Sequence, residues 1–225
     1  MTHYTLKEER RISQRPTSCT FSVNTASQAV IAALLGVLLA HCVPAFAQSL
    51  KIIRVPLTRQ STDYTCGVAA LQAILAFYGE DVREDILAKA LHANHKIGTR
   101  YKNIQHYAEA HGLSVRVNHE MSLAQLKSSI DAGHPVLCLI QAWADKKTDY
   151  KTDWNDGHYV VAVGFDDSRI IFMDPSTAGH YTYIPLQEFE QRWHDIDGAV
   201  KLNHFGMSVW KEGARFDPDK LERLE

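Results

Sequence analysis

The sequence predicts an α+β domain whose helices come first and whose mostly antiparallel sheet follows. Three observations carry that reading. Residues 66–78 (CGVAALQAILAFY) are apolar around most of a helix circumference and have no breaker after Gly67, as a buried helix requires. After Pro135 the chain changes to short apolar runs at 135–140, 158–165 and 170–173. The two kinds of segment are segregated along the chain, which argues against alternating βαβ units.

Taken in order, residues 50–57 (LKIIRVPL) suggest a short leading strand with Pro56 at an edge. A polar loop at 59–65 leads into the 66–78 helix, and Gly79 is placed as its C-terminal cap. Residues 85–91 read as a second helix and 102–110 as a third, stopped by Gly112. Residues 113–117 (LSVRV) alternate as a strand does. Ser122 caps a helix running through Ile130, with Gly133 at its end. The apolar runs from 135 onward are strands, with a further one at 181–184, and Asp166-Asp167-Ser168 forms a hairpin loop. Residues 186–193 read as a helix behind Pro185, with Phe189 and Trp193 at core spacing. The charged stretch 216–225 reads as a surface helix or a frayed end.

The N-terminal segment has the three parts of a secretory signal. Lys7, Arg10, Arg11 and Arg15 form a basic leading region, residues 29–40 (AVIAALLGVLLA) an uncharged apolar run, and Ala45-Phe46-Ala47 a small-residue cleavage site. Cleavage is expected after Ala47. This divides the chain into a signal peptide (1–47), a domain (48–215) and the charged tail (216–225), in a periplasmic or secreted product. The competing reading is an uncleaved membrane anchor, but the apolar run is shorter than the roughly 20 residues that cross a bilayer. The remaining length supports one domain with a real core. With 24 Lys and Arg against 26 Asp and Glu and no basic stripe, nucleic-acid binding has no electrostatic support.

Cys66 opens the buried helix directly after a polar loop. A helix N-terminus carries partial positive charge, which favours the nucleophilic thiolate over the thiol. Gly67 behind it lets backbone approach closely. Gly157-His158 opens an apolar strand on which His158, Val160, Ala162 and Gly164 share a face. That small-residue face is expected to pack against the Cys66 helix and bring the imidazole to the thiol. Asp174 ends the neighbouring strand, where a carboxylate can orient the imidazole. Gln60, six residues before Cys66, can donate its amide to a developing oxyanion beside the Cys66 N–H. The order Cys, His, Asp, helix first and sheet second, is that of a papain-like cysteine peptidase fold.

Two stretches of sequence make the pattern specific: Gln60-Ser-Thr-Asp63-Tyr-Thr-Cys66-Gly67-Val-Ala69-Ala70-Leu71, ending in Phe77-Tyr78-Gly79, and Gly157-His158-Tyr-Val-Val-Ala-Val-Gly164. With Met173-Asp174-Pro175 and the trailing Leu186, Phe189 and Trp193, they resemble the C39 peptidases, the bacteriocin-processing or double-glycine leader peptidases. The resemblance spans roughly residues 55–195. It implies Cys66, His158 and Asp174 as the triad and Gln60 as the oxyanion residue, with no metal or organic cofactor. It also implies a peptide or protein substrate cut after small residues of Gly-Gly or Gly-Ala type, and a possible link to a secretion system. The best-known members sit on ABC exporters; this sequence carries no transporter domain and has its own export signal.

Several readings compete with this one. Cys66 and Cys138 would be the two cysteines left after cleavage, and a disulfide between them would disable the enzyme. A catalytically silent peptide-binding module, or an acyl transferase on the same triad, would share the fold. The segment 143–156 (WADKKTDYKTDWND) either recognises substrate or is a surface excursion. His92 and His95 stand three apart, but no further ligand set accompanies them, so surface histidines are the expectation.

Overall fold

A computed structural model describes residues 50–212, 216–221, 223 and 224. The signal peptide expected at 1–47 lies outside the described residues.

Five helices form, each close to its expected place: α1 (Cys66–Phe77), α2 (Glu84–Ala90), α3 (Tyr101–Ala110), α4 (Leu123–Asp131) and α5 (Leu186–Arg192). Their ends follow from local chemistry. Ser122 and Gln125 form a reciprocal capping box at the start of α4: the Ser122 hydroxyl accepts from the Gln125 backbone N–H, and the Gln125 side-chain Oε1 accepts from the Ser122 backbone N–H. Gly79 and Gly133 close α1 and α4 in the left-handed region, at φ +86° and +80°. Nearly all of α1 is buried, as its all-round apolar pattern demands.

The strands are β1 (Lys51–Ile52), β2 (Ser114–Asn118), β3 (Val136–Gln141), β4 (Gly157–Phe165), β5 (Arg169–Met173), β6 (Thr182–Pro185), β7 (His194–Asp197), β8 (Val200–Asn203) and β9 (Gly206–Trp210). One seven-stranded sheet has the order β2-β9-β3-β4-β5-β6, with β1 added on β4. Every pairing in it is antiparallel. β7 and β8 form a separate hairpin. All six residues of β3 are buried, as a strand covered on both faces requires. Among the described residues, no helix is long and apolar enough to cross a membrane.

Three expectations are corrected. First, strands β7, β8 and β9 escape a reading of the sequence, although β9 lies between β2 and β3 and joins them into one sheet. Second, the described part of the tail forms no helix; the Phe216 N–H donates to the Phe77 carbonyl at the end of α1. Third, α1 packs against the other face of β4. A Cβ on Gly67 would lie 2.9 Å from the Tyr159 ring, so the odd-numbered residues of β4 face α1. The face shared by Val160 and Ala162 carries Phe172 opposite Ala162, and Phe172 packs on Phe189 of α5. Parity holds for His158, Val160 and Ala162, but an irregularity between Ala162 and Gly164 shifts the register, so Gly164 pairs with Ile171 and leaves that face.

Candidate active site

Cys66 is the first residue of α1 and is partly exposed. The preceding Thr65 does not cap the helix, because its hydroxyl is engaged within the loop by the Thr62 N–H and hydroxyl. The first-turn N–H groups, which carry the positive end of the helix dipole, are therefore left at the sulfur. Gly67 is required by the close passage of the Tyr159 ring and of Thr99 Cβ, both 2.9 Å from where its own Cβ would stand.

His158, the second residue of β4, is buried, and its Nε2 lies 2.7 Å from Asp174 Oδ1. The Cys66 side chain lies near enough to this ring to raise its affinity for a proton. With Nε2 taken by Asp174, Nδ1 is the nitrogen left for the sulfur. Burial pushes the imidazolium pKa down. The hydrogen bonds from Asp174 and Cys66 and the charges of both outweigh it, raising the His158 pKa from 6.5 to about 9.

Asp174 follows β5 directly and is itself buried. Its Oδ1 accepts a second bond from the Ser176 N–H at 2.8 Å, and its Oδ2 accepts from Trp143 Nε1 at 3.2 Å. The carboxylate is thus fixed from three sides. Trp143 holds its indole there from a left-handed backbone, φ +63°, a conformation seldom adopted by a bulky residue.

Gln60 is fastened to the same turn. Its N–H donates to the Pro175 carbonyl at 3.0 Å, and its Oε1 accepts from the Ser176 hydroxyl at 3.3 Å. Its Nε2 donates to the Thr62 carbonyl at 2.8 Å, in the loop leading to Cys66. An amide nitrogen has a second hydrogen to give. The four residues singled out in the sequence therefore lie in one neighbourhood around the His158 ring.

Sequence reasoning missed three neighbours. Trp143 opens the 143–156 segment, read as substrate-recognising or a surface excursion, and nothing in the sequence marks its bond to Asp174. Asp195 packs its carboxylate against Gly157, where a Cβ on the glycine would collide with both carboxylate oxygens. Thr99 lines the same cavity as Cys66. No local motif marks any of them, because each comes to the site through tertiary contacts. The segment 143–156 borders two cavities. Trp154 and Asn155 line one of about 240 Å³ with Cys66, and Trp143 and Tyr150 line one of about 390 Å³ with Asp174.

Cys66 and Cys138, the cysteines among the described residues, are both free. Cys138 is buried in β3, and burial holds its thiol pKa far above the usual range. It packs as a core residue, which leaves Cys66 as the accessible sulfur.

The model of the Peptidase_C39 like family matches residues 52–200, more than half of the sequence. The chain belongs to this family. Among solved structures, this C39-like chain is similar to a putative C39-like peptidase from Bacillus anthracis, at 21% identity and a TM-score of 0.57 over 73% of this chain and 99% of that one. It is also similar to the peptidase domain of Streptococcus ComA, a bi-functional ABC transporter involved in a quorum-sensing pathway. There the identity is 19% and the TM-score 0.54, over 70% of this chain and 99% of that one. A double glycine motif protease from an AMS/PCAT transporter, in complex with its leader peptide, matches at 19% identity and a TM-score of 0.50, over 71% of this chain and 94% of that one. Comparison with curated proteins finds no match. The fold is accordingly the papain-like α+β fold of C39 peptidases, as the sequence order implied.

Proposed function

We propose that this C39-like chain is an exported cysteine peptidase that hydrolyses peptide bonds after small residues. The observation that carries the reading is the buried His158 ring, bonded to Asp174 through Nε2 and with the Cys66 side chain close enough to act on its charge.

In this mechanism the Cys66 proton resides on His158 Nδ1, and the thiolate attacks the scissile carbonyl carbon. The carbonyl electrons move to oxygen. The Cys66 N–H and the second hydrogen of Gln60 Nε2 receive that oxyanion. The tetrahedral adduct collapses, the C–N bond breaks, and the imidazolium gives its proton to the departing amine. A water then loses a proton to His158 and attacks the thioester. The product acid departs and the thiolate returns. Asp174 keeps Nε2 protonated and the ring in place throughout.

The small-residue preference draws on the family and on the double glycine motif protease it resembles in fold. Export draws on the basic, apolar and Ala-Phe-Ala segments before residue 48. A peptide leader delivered by a secretion system is the matching class of substrate.

The test is alkylation by iodoacetamide under reducing conditions, followed by incubation with peptides containing Gly-Gly and Gly-Ala sites. Cys66 should label faster than a free thiol at neutral pH, His158→Ala should slow the labelling, and Cys66→Ser should abolish cleavage. A Cys66 that labels no faster than free thiol and is indifferent to His158→Ala would leave a peptide-binding module in place of an enzyme.

A further inference from the structure

The cavity beside Cys66 contains a carboxylate that peptide hydrolysis does not require. Its walls include Thr99, Trp154, Gly157, Tyr159, Asp195 and Asp197. The two acids differ. Asp197 is neutralised by Arg100, at 2.7 Å from Nη1, and accepts the Tyr101 N–H at 3.1 Å. Asp195 makes no ion pair among the described residues. Its Oδ1 accepts from the neutral amide of Gln141 at 3.1 Å, and its carboxylate lies against Gly157.

The surrounding cations are committed elsewhere. Lys201 Nζ stands 4.4 Å from the centre of the Trp154 ring. His158 acts on Asp195 as a charge, but its Nε2 is bonded to Asp174. Burial, with Asp197 adding to it, lifts the Asp195 pKa to about 6 against the lowering effects of Ile196 N–H, Gln141 and His158. At neutral pH and above the group is thus mostly ionised, poorly hydrated and without a counter-ion. A residue of the same wall carries a second unmet polar group. Thr99 is 5% exposed, and its hydroxyl is the one buried side-chain polar atom without a partner among the described residues. An uncompensated carboxylate is costly to bury, and a cationic donor entering the cavity would relieve it.

We propose that this cavity is a specificity subsite for a basic side chain, lysine or arginine, flanking the scissile bond, with Asp195 as counter-ion. The inference rests on Cys66 being the attacking thiol and adds charge selectivity to it. At about 240 Å³ the space suits one side chain and is smaller than a typical small-molecule site. The small residue at the cleavage position and the basic residue nearby occupy different subsites.

Two measurements test this and separate it from the peptidase reading. The first needs no turnover. The rate at which Cys66 reacts with aminoethyl methanethiosulfonate is divided by its rate with sulfonatoethyl methanethiosulfonate, in the native chain and in Asp195→Asn. The ratio should fall by at least about tenfold in the variant, as for loss of a buried charge-assisted contact. The second uses peptides with one Gly-Gly site, in which each flanking position carries lysine, norleucine or glutamate in turn. At one position kcat/KM should follow lysine over norleucine over glutamate, and Asp195→Asn should erase that order. An unchanged labelling ratio in a variant that melts like the parent overturns the subsite. Equal cleavage of lysine and norleucine peptides by the native chain overturns it whether or not the variant folds. A reagent ratio that falls as expected, with no peptide cleaved, keeps the charged cavity and removes the peptidase reading instead.

Discussion

The carboxylate of Asp195 occupies the space where any side chain at position 157 would begin. Gly157 immediately precedes His158, so the imidazole is placed by a backbone held flush against that acid. Gly157→Ala forces the Cβ into both carboxylate oxygens. The expected cost is about 1–3 kcal/mol of stability, as for other overpacked sites. Displacement of His158 should lower kcat/KM by about 100-fold. Thermal unfolding and peptide cleavage measure the two. Adding Asp195→Ala to the same chain should restore most of the lost stability, because it removes the colliding atoms.

His158 owes part of its raised pKa to the hydrogen bond and charge of Cys66. Cys66→Ala should therefore lower the imidazole pKa from about 9, read by NMR titration of the ring protons. An unchanged value would mean that no ionised sulfur lies beside the ring. The direction of linkage is fixed by the raised folded-state value. The stabilisation, on the order of 3 kcal/mol, is full below about 6.5, where the histidine is protonated in both folded and unfolded chains. It is lost as pH rises through about 9. Denaturant unfolding across pH 6 to 10 should show stability falling over that interval, and Cys66→Ala should reduce the slope.

Trp143 meets Asp174 through its indole N–H alone among its hydrogen bonds to the site, and it does so from a strained backbone. Trp143→Phe keeps a flat apolar ring and removes the donor. A charge-assisted bond of this kind supports an effect of about tenfold, expected chiefly in kcat. A change confined to KM would instead place the indole in substrate contact.

Gln60→Ala removes a proposed oxyanion donor and also the tie to Ser176. By analogy with other oxyanion donors, kcat should fall by about 100- to 1000-fold. Gln60→Glu separates the two roles, since it can still accept from the Ser176 hydroxyl but has no amide hydrogen to give. Both variants should be equally slow if donation is what matters.

Much of this was visible from residue pattern alone. The helix ends were marked by Gly79, Gly112, Gly133 and the Ser122–Gln125 box, because capping is local chemistry. His158 and Asp174 were paired correctly because adjacent antiparallel strands and their parity place them on one face. What escaped was non-local. β7 and β8 are four residues each: HDID is mostly charged or polar, and VKLN alternates over too short a run to stand out. β9 begins with Gly206 and is buried along nearly its whole length, so no period of two appears. The partner of the His158 face was assigned by the smallness of Val160 and Ala162, whereas Tyr159 on the opposite face is what meets Gly67. Trp143, Thr99 and Asp195 reach the site across gaps in sequence that no spacing rule covers.

The placement of β9 inside the sheet has a consequence for biogenesis. Until a ribosome has delivered residue 210, β2 has nothing to pair with, and the half-sheet built from β3 to β6 keeps an open edge. An emerging polypeptide is therefore held short of its finished sheet until that strand has been made. Trimming by a protease just before Gly206 would undo the sheet from its middle and leave the thiol without a scaffold.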